Sequence, residues 1–299
     1  MIPAPRRLSL VVALSLAGVP LAWAQRDSVS LGPGDHRLWL NVGALRREYL
    51  VHLPESYRSG AAMAVVFMFH GSGGSIESDL KGTGWVREGE QEGFVTVFPN
   101  GFPDENGMRV WNDGPPPRRS DADDVQFTRA MLDDLAKRLR VDRSRVFAVG
   151  FSNGAGLTFR LAAELNDRIA AIAPVAGRLW LTDVTLARAT PTLLIIGTAD
   201  GMLRADSAVG PDQPVMERPG FRRTVARWAG LLGCAVEPRA AGDPGRVKSF
   251  SYGTCRAGSE LRLLLIDGWE HYWPGGVNPG MEMWAENVIW EFFKKHPLR

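Results

Sequence analysis

The segment Gly-Phe-Ser-Asn-Gly at residues 150–154 limits most strongly what this chain can fold into. Residues 145–149, before it, are apolar and favour a strand, and residues 155–165, after it, favour a helix. A strand, a G-x-S-x-G turn and a helix in this order form the pattern of a nucleophile elbow. Because the turn is tight, side chains on either side of the serine would collide, which accounts for both glycines. The pattern predicts that Ser152 is presented at a strand end beside the first amides of the helix, the alternative being a tight turn without a chemical role.

The rest of the chain alternates between strand patterns and helical patterns. Strands are predicted at residues 36–42, 46–53, 64–69, 94–99, 169–174, 191–196 and 261–266, and helices at residues 121–139, 221–232 and 282–295. The first two strands form a hairpin, in which Tyr49, Val51 and Leu53 alternate with more polar residues, as expected of a half-exposed edge of the sheet. The whole pattern predicts an α/β fold whose mainly parallel sheet is covered by helices on both faces. In such a sheet the carboxyl ends of the strands share one edge, and ligands bind there.

Three chemically complementary residues each follow a predicted strand at this edge, namely Ser152, Asp200 and His271. Their order along the chain is that of the α/β-hydrolase fold. His271 would take the proton from the Ser152 hydroxyl, and Asp200 would orient the imidazole and favour its charged form. Asp267 is a weaker candidate for the acid, because it precedes His271 by four residues in the same loop. We therefore interpret Ser152, Asp200 and His271 as the catalytic triad of a serine hydrolase.

A glycine-rich loop, His-Gly-Ser-Gly-Gly-Ser at residues 70–75, follows an early predicted strand. In α/β hydrolases a loop in this position supplies one backbone N–H to the oxyanion, and the residue after the nucleophile supplies another. We expect these donors to be the amides of Gly71 or Ser72 together with that of Asn153. The alternative is a phosphate-binding loop, but the segment lacks both the G-K-[ST] ending and the G-x-G-x-x-G spacing.

Aromatic residues are concentrated in loops near the predicted triad. Trp111 lies in a long proline-rich loop, and Trp269, Tyr272 and Trp273 flank His271. Such side chains stack on phenolic groups or sugar rings, so we expect these four to bind substrate. The alternative is that most of them pack the loops.

Asp123 and Asp124 lie near the start of the helix predicted at residues 121–139. Negative charge is favourable in the first turn of a helix. We interpret the pair as helix-end electrostatics and not as a metal site. We expect neither a metal nor a cofactor.

The first 24 residues have the features of a secretory signal peptide. Arg6 and Arg7 precede an apolar run at residues 8–21, and Ala-Trp-Ala at residues 22–24 matches a cleavage site. The alternative is an uncleaved membrane anchor, but the run is short for a membrane span. We therefore expect a secreted or periplasmic protein with one catalytic domain at residues 25–299.

The predicted mature chain carries balanced charge. The full chain has 35 Lys and Arg residues and 33 Asp and Glu residues, and loss of Arg6 and Arg7 leaves 33 of each sign. This balance does not favour nucleic acid or an anionic surface as a partner. No later apolar run is long enough to span a bilayer, so we expect no membrane contact after signal removal.

Cys234 and Cys255 are the two cysteines of the chain. In an oxidising compartment such a pair favours a disulfide, which would stabilise the fold by ~3 kcal/mol in the chain-entropy model. The alternative is two separate buried thiols. Two thiols without a histidine cluster do not form a zinc site.

Taken in order, these motifs resemble those of the secreted polyhydroxybutyrate depolymerase and feruloyl esterase family of carbohydrate esterases. The matching stretches, which run from about residue 47 to the end of the chain, are H-G-S-G-G-S at 70–75, Trp111, Asp124-Val125, G-F-S-N-G at 150–154, A-P-V-A-G at 173–177, G-T-A-D at 197–200, Trp228 with Cys234, and H-Y-W-P-G at 271–275. The last of these segments is the most specific. The resemblance implies a serine esterase with Ser152, Asp200 and His271 as its triad, and a disulfide between Cys234 and Cys255.

The resemblance also bears on the substrate, which is expected to be a small-molecule or polysaccharide-linked ester. Polymer depolymerases of this group carry a polymer-binding domain, which we do not expect here because the chain ends soon after its closing helix. We therefore favour feruloyl or similar aryl esters of plant polysaccharides over short aliphatic polyesters and acetylated polysaccharides such as acetylxylan. A catalytically inactive binding module and a peptidase of the same fold are the remaining alternatives.

Overall fold

The computed structural model describes residues 1, 31–115, 120–201, 217–235, 237–242, 245–277 and 283–299. Its strands are β1 (Gly34–Val42), β2 (Leu45–Leu53), β3 (Met63–Phe69), β4 (Val95–Pro99), β5 (Phe102–Pro103), β6 (Arg109–Val110), β7 (Val141–Phe151), β8 (Ala171–Val175), β9 (Thr192–Gly197), β10 (Arg239–Gly242), β11 (Val247–Ser251) and β12 (Leu261–Ile266). Ten of them form one sheet in the order β1-β2-β4-β3-β7-β8-β9-β12-β11-β10, and β5 pairs with β6 in a separate ribbon. The six central strands, from β4 to β12 in this order, are parallel. The flanking pairs are antiparallel, so the predicted mainly parallel sheet is confirmed.

Helices cover both faces of this sheet, as predicted. They are α1 (Ile76–Gly82), α2 (Trp85–Glu92), α3 (Asp124–Arg138), α4 (Asn153–Glu164), α5 (Pro219–Leu232) and α6 (Ala285–Phe293). On one face α3 and α4 bury residues such as Leu135 and Phe159, together with α5. On the other face α1, α2 and α6 bury residues such as Trp85 and Ile289. Apolar side chains of the central strands fill both layers, because those strands are buried at nearly every position.

The hairpin of β1 and β2 forms where the sequence predicts it, but the expected half-exposure of β2 is wrong. β1, at the edge, alternates between exposed and half-buried positions. In β2 both phases are buried, since Leu50 and His52 are buried as well as their neighbours Tyr49 and Val51. The reason is that α2 packs over that face, where His52 Nε2 lies 3.0 Å from a carboxylate oxygen of Glu90.

Two short helices, α1 and α2, were not predicted from the sequence. They have 7 and 8 residues, lengths at which an isolated helix is marginal in water. Ser75 and Ser78 cap α1 reciprocally, and glycines at 84 and 93 bound α2, so the local sequence has the composition of a loop. Burial of Ile76 and Trp85 against the sheet stabilises helices that the local sequence does not specify. β10 was missed as well, because every one of its residues is exposed and no apolar pattern marks it.

A disulfide joins Cys234, just after α5, to Cys255 in the connection between β11 and β12. It ties the end of a helix to the edge of the sheet, and the predicted pairing is confirmed. The signal peptide predicted at residues 1–24 lies, apart from Met1, outside the described residues. That segment and the single catalytic domain at residues 25–299 stay predictions.

Candidate active site

β7 delivers Ser152 to the carboxyl edge of the sheet, and α4 begins at the next residue. Ser152 has φ 54° and ψ −114°, a backbone conformation that non-glycine residues rarely adopt. A Cβ on Gly150 would overlap the carbonyl group of Gly154, and one on Gly154 would overlap the carbonyl oxygen of Phe69. Close backbone packing therefore requires both glycines, and the strained turn holds the serine hydroxyl clear of the strand.

The structure brings the three residues of the predicted triad together. His271 Nε2 lies 2.9 Å from Ser152 Oγ, and His271 Nδ1 lies 2.9 and 3.0 Å from the two carboxylate oxygens of Asp200. A carboxylate only accepts hydrogen bonds, so the fully buried Asp200 places the ring proton on Nδ1. Nε2 then carries the lone pair and accepts the hydroxyl proton of Ser152. A hydroxyl, a base and an orienting carboxylate in this arrangement can activate the serine as a nucleophile.

Hydrogen bonds join the two turns that carry the aspartate and the histidine. These turns follow β9 and β12, which are parallel neighbours in the sheet. The N–H of Ala199 donates to the Trp269 carbonyl at 3.0 Å. Asp267, the alternative acid, is exposed and accepts the Thr198 hydroxyl at 3.2 Å. The tie between the two turns therefore places Asp200, and not Asp267, against the imidazole.

The glycine-rich loop after β3 stands beside the serine. A Cβ on Gly71 would lie 3.3 Å from the Cβ of Ser152. The N–H of Gly73 donates to a carbonyl group of β6 at 2.8 Å, and that of Gly74 donates to the Gly71 carbonyl at 2.9 Å. Since those two amides already donate to backbone carbonyl groups, the amides of Gly71 and Ser72 remain the loop's candidates for binding an oxyanion.

His70 supports this loop from the interior. Burial lowers the pKa of His70 to about 4, so the ring is neutral at neutral pH. Its Nδ1–H donates to the Gly71 carbonyl at 2.6 Å, and its Nε2 accepts the Gly101 N–H at 2.8 Å. The histidine thus fixes the position of Gly71 and has a structural role.

The side chain of Asn153 joins the elbow to the loop that carries Trp111. Its Oδ1 accepts the Trp111 N–H at 2.7 Å, and its Nδ2 donates to the Trp111 carbonyl at 3.0 Å. Because this side chain is buried and fully engaged, the group that Asn153 offers beside Ser152 is its backbone amide, at the start of α4.

Two of the four aromatic residues expected to bind substrate are interior side chains. Trp111 is fully buried, donates from Nε1 to the His70 carbonyl at 2.8 Å and packs edge-on against Phe69. Trp273 is 7% exposed and donates to the Thr83 carbonyl at 3.0 Å. The expectation of substrate contact is wrong for these two, because the fold buries their large rings and satisfies both N–H groups internally.

Tyr272 and Trp269 lie where a substrate has access to them. Tyr272 is 60% exposed. Trp269 is half-buried, and its Nε1–H donates to the Tyr272 carbonyl at 3.0 Å, so the indole braces the backbone beside His271. A role of these two rings in substrate binding stays a prediction.

Distant parts of the chain hold the histidine loop in place. Trp273 is bonded to Thr83, the residue that follows α1, as described above. Further along the loop, the N–H of Gly276 donates to the buried carboxylate of Glu286 in α6 at 3.2 Å, and Arg87 of α2 pairs with the same carboxylate at 2.5 Å. Burial raises the pKa of Glu286. The sequence analysis missed this support, because its members lie on three elements that only the fold brings together.

The interpretation of the two aspartates at the start of α3 is correct for one of them only. Asp123 caps the helix and accepts the Gln126 N–H at 2.9 Å. Asp124 is instead fully buried, pairs with Arg47 of β2 at 2.8 Å and accepts the Asn112 N–H at 2.7 Å. Its carboxylate therefore orders the loop after Trp111, and the interpretation of Asp124 as helix-end charge is corrected.

Two exposed apolar side chains beside loops at the carboxyl edge of the sheet escaped the sequence analysis. Trp180 is 42% exposed and Met108 is 44% exposed. A Cβ on Gly114 would lie 3.0 Å from the Cβ of Trp180, and one on Gly73 would lie 3.7 Å from Met108. Trp180 follows β8 at the carboxyl edge, and Met108 lies in the ribbon beside the glycine-rich loop. Their sequence neighbourhoods carry no signal for this exposure, because tertiary packing decides which apolar side chains stay accessible.

Within the described ranges, no group of three or more His, Cys, Asp or Glu side chains is placed to hold a metal ion. None of the described helices combines the length and the apolar character that crossing a bilayer requires.

Several curated proteins resemble the chain, although no protein-family model matches it. Feruloyl esterase B of Piromyces equi is 30% identical over 261 residues, which cover 84% of this chain and 46% of that protein. Putative esterase NocK of Nocardia uniformis subsp. tsuyamanensis is 31% identical over 264 residues, covering 80% of this chain and 74% of that protein. Feruloyl esterase D of Neurospora crassa is 25% identical, with 97% of each chain covered. The chain therefore spans about half the length of the Piromyces protein and nearly all of the Neurospora protein.

Solved structures support the same architecture. An acetyl xylan esterase from Aspergillus awamori matches with a TM-score of 0.61 and 14% identity, covering 87% of this chain and 99% of that one. A ferulic acid esterase matches with a TM-score of 0.54 and 13% identity, covering 86% and 95%. At such low identity these likenesses bear on the fold alone, and they confirm the predicted α/β-hydrolase architecture.

Proposed function

The chain belongs to an esterase family that includes putative esterase NocK and feruloyl esterases, and from this premise we propose that it is a serine carboxylic ester hydrolase. The observation that carries the proposal is the connected set of Ser152, His271 and Asp200, with 2.9 Å from hydroxyl to ring and 2.9 Å from ring to carboxylate. An inactive binding module would have no need of this alignment, or of the strained backbone at the serine.

Hydrolysis would proceed in two half-reactions. Ser152 Oγ attacks the ester carbonyl carbon while its proton moves to His271 Nε2, and the carbonyl oxygen becomes an oxyanion bound by the amides of Asn153 and of Gly71 or Ser72. The bond from carbon to the alcohol oxygen then breaks as His271 returns the proton to that oxygen, which leaves an acyl-enzyme. Water adds to the acyl group by the same sequence, releasing the acid and the free serine.

Feruloyl and similar aryl esters of plant polysaccharides are the proposed substrates. Proteins named feruloyl esterase match this chain over most of its length. Tyr272, next to His271, and Trp180, which follows β8, are exposed and offer flat apolar surfaces, which suit a phenolic acyl group. An acetyl group or a short aliphatic hydroxy acid would leave these surfaces unused.

The proposal is tested with the purified chain and its Ser152→Ala variant. Methyl ferulate, acetylated xylan and a short hydroxybutyrate oligomer are assayed side by side, and kcat/KM is compared. We expect methyl ferulate to give the highest value and the variant to lose activity on every substrate. Activity that survives in Ser152→Ala would refute the proposed nucleophile. A higher value on acetylated xylan would keep the esterase and replace the acyl group.

Export is part of the proposal. The pattern of residues 1–24 and the disulfide between Cys234 and Cys255 both support an oxidising compartment. Expression in a bacterial host with N-terminal sequencing of the exported protein tests this, with Gln25 as the expected first residue. An intact N-terminus on a protein retained in the cytoplasm would contradict it.

A further inference from the structure

A groove of about 270 Å³ opens at the carboxyl edge of the sheet, on the side of β4 and β2. Its walls include Trp39 of β1, Arg46 and Glu48 of β2, Phe102 of β5 and Arg109 of β6. β2 is three strands away from β7, which presents the nucleophile. At ~4.8 Å per strand, the groove begins about 14 Å along the same edge.

The ribbon of β5 and β6 connects this groove to the glycine-rich loop. The N–H of Gly73 donates to the Arg109 carbonyl at 2.8 Å. The neighbouring Met108 is exposed and lies against Gly73. The ribbon therefore links the glycine-rich loop beside Ser152 to the groove.

The groove carries positive charge that the described part of the chain does not neutralise. Among the described residues, no carboxylate lies within ion-pair distance of Arg46 or Arg109. Arg109 donates instead to the Gly101 carbonyl at 3.2 Å. Glu48, in the same wall, is already paired with Arg37 at 2.7 Å. Arg47 lies beneath, buried against Asp124, with its Nη1 lacking an acceptor. The guanidinium groups of the exposed Arg46 and the half-buried Arg109 thus favour an anionic ligand.

An aromatic surface lies next to these charges. Trp39 is 47% exposed, and the guanidinium carbon of Arg46 lies 5.3 Å from the centre of its ring. An exposed indole provides a flat apolar surface on which a sugar ring can stack. Arg46, held at the ring, lies where it can pair with a carboxylate carried by that sugar.

We propose that this groove binds a uronosyl unit, that is, a sugar ring bearing a carboxylate, within the polysaccharide whose ester Ser152 cleaves. The proposal rests on the proposed esterase function and adds a binding subsite to it. A neutral sugar would leave the charges of Arg46 and Arg109 unpaired, and a simple inorganic anion would leave the surface of Trp39 uncovered. The volume, just below the range of common small-molecule pockets, suits about one sugar ring.

The test measures binding to the full chain carrying Ser152→Ala, so that no turnover occurs. The probes are a xylo-oligosaccharide with one glucuronosyl unit and the same oligosaccharide without it, compared by isothermal titration calorimetry. We expect the uronosyl probe to bind about tenfold more tightly and to lose this advantage as salt increases. Equal affinities for the two probes would overturn the proposal.

Substitutions in the groove locate the binding. Arg46→Gln and Arg109→Gln should each weaken the uronosyl probe about threefold, and Trp39→Ala should weaken both probes. Arg143→Gln, which removes an exposed arginine at the opposite end of β7, is the matched control and should bind like the parent. An equal loss in the control would indicate general charge attraction and overturn the groove assignment. Two results together would show a site for simple anions and overturn the sugar assignment. The uronosyl probe would bind Trp39→Ala undiminished, and inorganic phosphate would displace it at concentrations similar to those of the probe itself.

This outcome is separable from that of the esterase proposal. Hydrolysis of methyl ferulate by the parent chain reports on the triad, whereas uronosyl binding to Ser152→Ala reports on the groove. An active esterase without uronosyl preference would refute the groove proposal and leave the esterase proposal intact. An inactive chain that still binds the uronosyl probe would refute the esterase proposal and leave the binding groove intact.

Discussion

Replacing Asp200 by asparagine tests the geometry of the site most directly. The carboxylate is fully buried and lies 2.9–3.0 Å from His271 Nδ1 through both oxygens, so no water screens it from the ring. An asparagine side chain at this position would keep the shape and remove the charge. It would also offer an N–H to Nδ1, which favours the ring proton on Nε2, where it would face Ser152 and prevent proton uptake.

The magnitude follows from the distance. Opposite unit charges about 4 Å apart interact by ~4 kcal/mol at an effective dielectric constant of ~20. When His271 becomes charged in the transition state, loss of this attraction lowers kcat by about 10³, at ~1.4 kcal/mol per factor of ten. The unfavourable tautomer adds to the loss, so we expect Asp200→Asn to lower kcat between about 10³ and 10⁴.

The assay is steady-state hydrolysis of methyl ferulate, with thermal unfolding measured on the same samples. The melting temperature should change little, because the replacement is nearly isosteric. Asp267→Asn is the matched control: this exposed residue lies on the loop that carries His271, and we expect its kcat within about twofold of the parent. Retention of more than a tenth of the activity in Asp200→Asn, or a large loss in Asp267→Asn, would refute the assignment of the acid.

Three further predictions follow from other parts of the structure. Gly197→Ala should lower kcat/KM by about 10² with KM less affected, because the added Cβ would overlap the Trp269 carbonyl and displace the turn carrying the histidine. Burial raises the pKa of Glu88 to about 7 from 4.5, so the folded state keeps a proton that the unfolded chain releases. The free energy of unfolding, measured with urea, should therefore fall as pH rises from about 4.5 to 7, and Glu88→Gln should flatten this dependence. Replacing Cys234 and Cys255 by serine should lower the free energy of unfolding by about 3 kcal/mol, since the bridge closes a sequence separation of 21 residues.

Each of these has its own control. Gly230→Ala, at an exposed helix position with open space around its Cβ, should leave kcat/KM unchanged and raise stability by ~0.5–1 kcal/mol. Glu105→Gln, at the exposed tip of the ribbon, should keep the pH dependence of the parent. Reduction of the parent protein should reproduce the loss seen with the serine replacements. Full activity in Gly197→Ala would contradict the proposed role of that turn. A parent protein whose free energy of unfolding rises between pH 4.5 and 7 would contradict the role of Glu88. Equal stability with and without the disulfide would contradict the stabilisation expected from it.

The fold and the candidate triad could be predicted from the sequence because the patterns that indicate them extend over only a few residues. A G-x-S-x-G segment between a strand and a helix is a short-range pattern, and parallel strands bring their carboxyl ends to one edge. Asp200 and His271 could therefore be placed near Ser152 from the strand pattern alone, and in the structure His271 lies within hydrogen-bond distance of both Asp200 and Ser152.

The same reasoning failed where long-range packing decides the environment. Trp111 and Trp273 belong to loops beside the site, and composition does not reveal that the fold closes over both rings. Asp124 resembles a helix-end charge until Arg47, on a distant strand, is brought against it. The short helix α2 has no strong local signal and depends on burial of Trp85.

The elbow, the order of the three candidate residues and the α/β pattern could be predicted from the chain alone, because hydrophobic periodicity and glycine placement act over a few residues. Tertiary packing, in contrast, determines which aromatic rings stay open to a substrate, which carboxylates are buried in pairs, and how Glu286 supports the histidine loop. Exposure and charge pairing depend on contacts between residues far apart in the chain, and the sheet order sets those contacts.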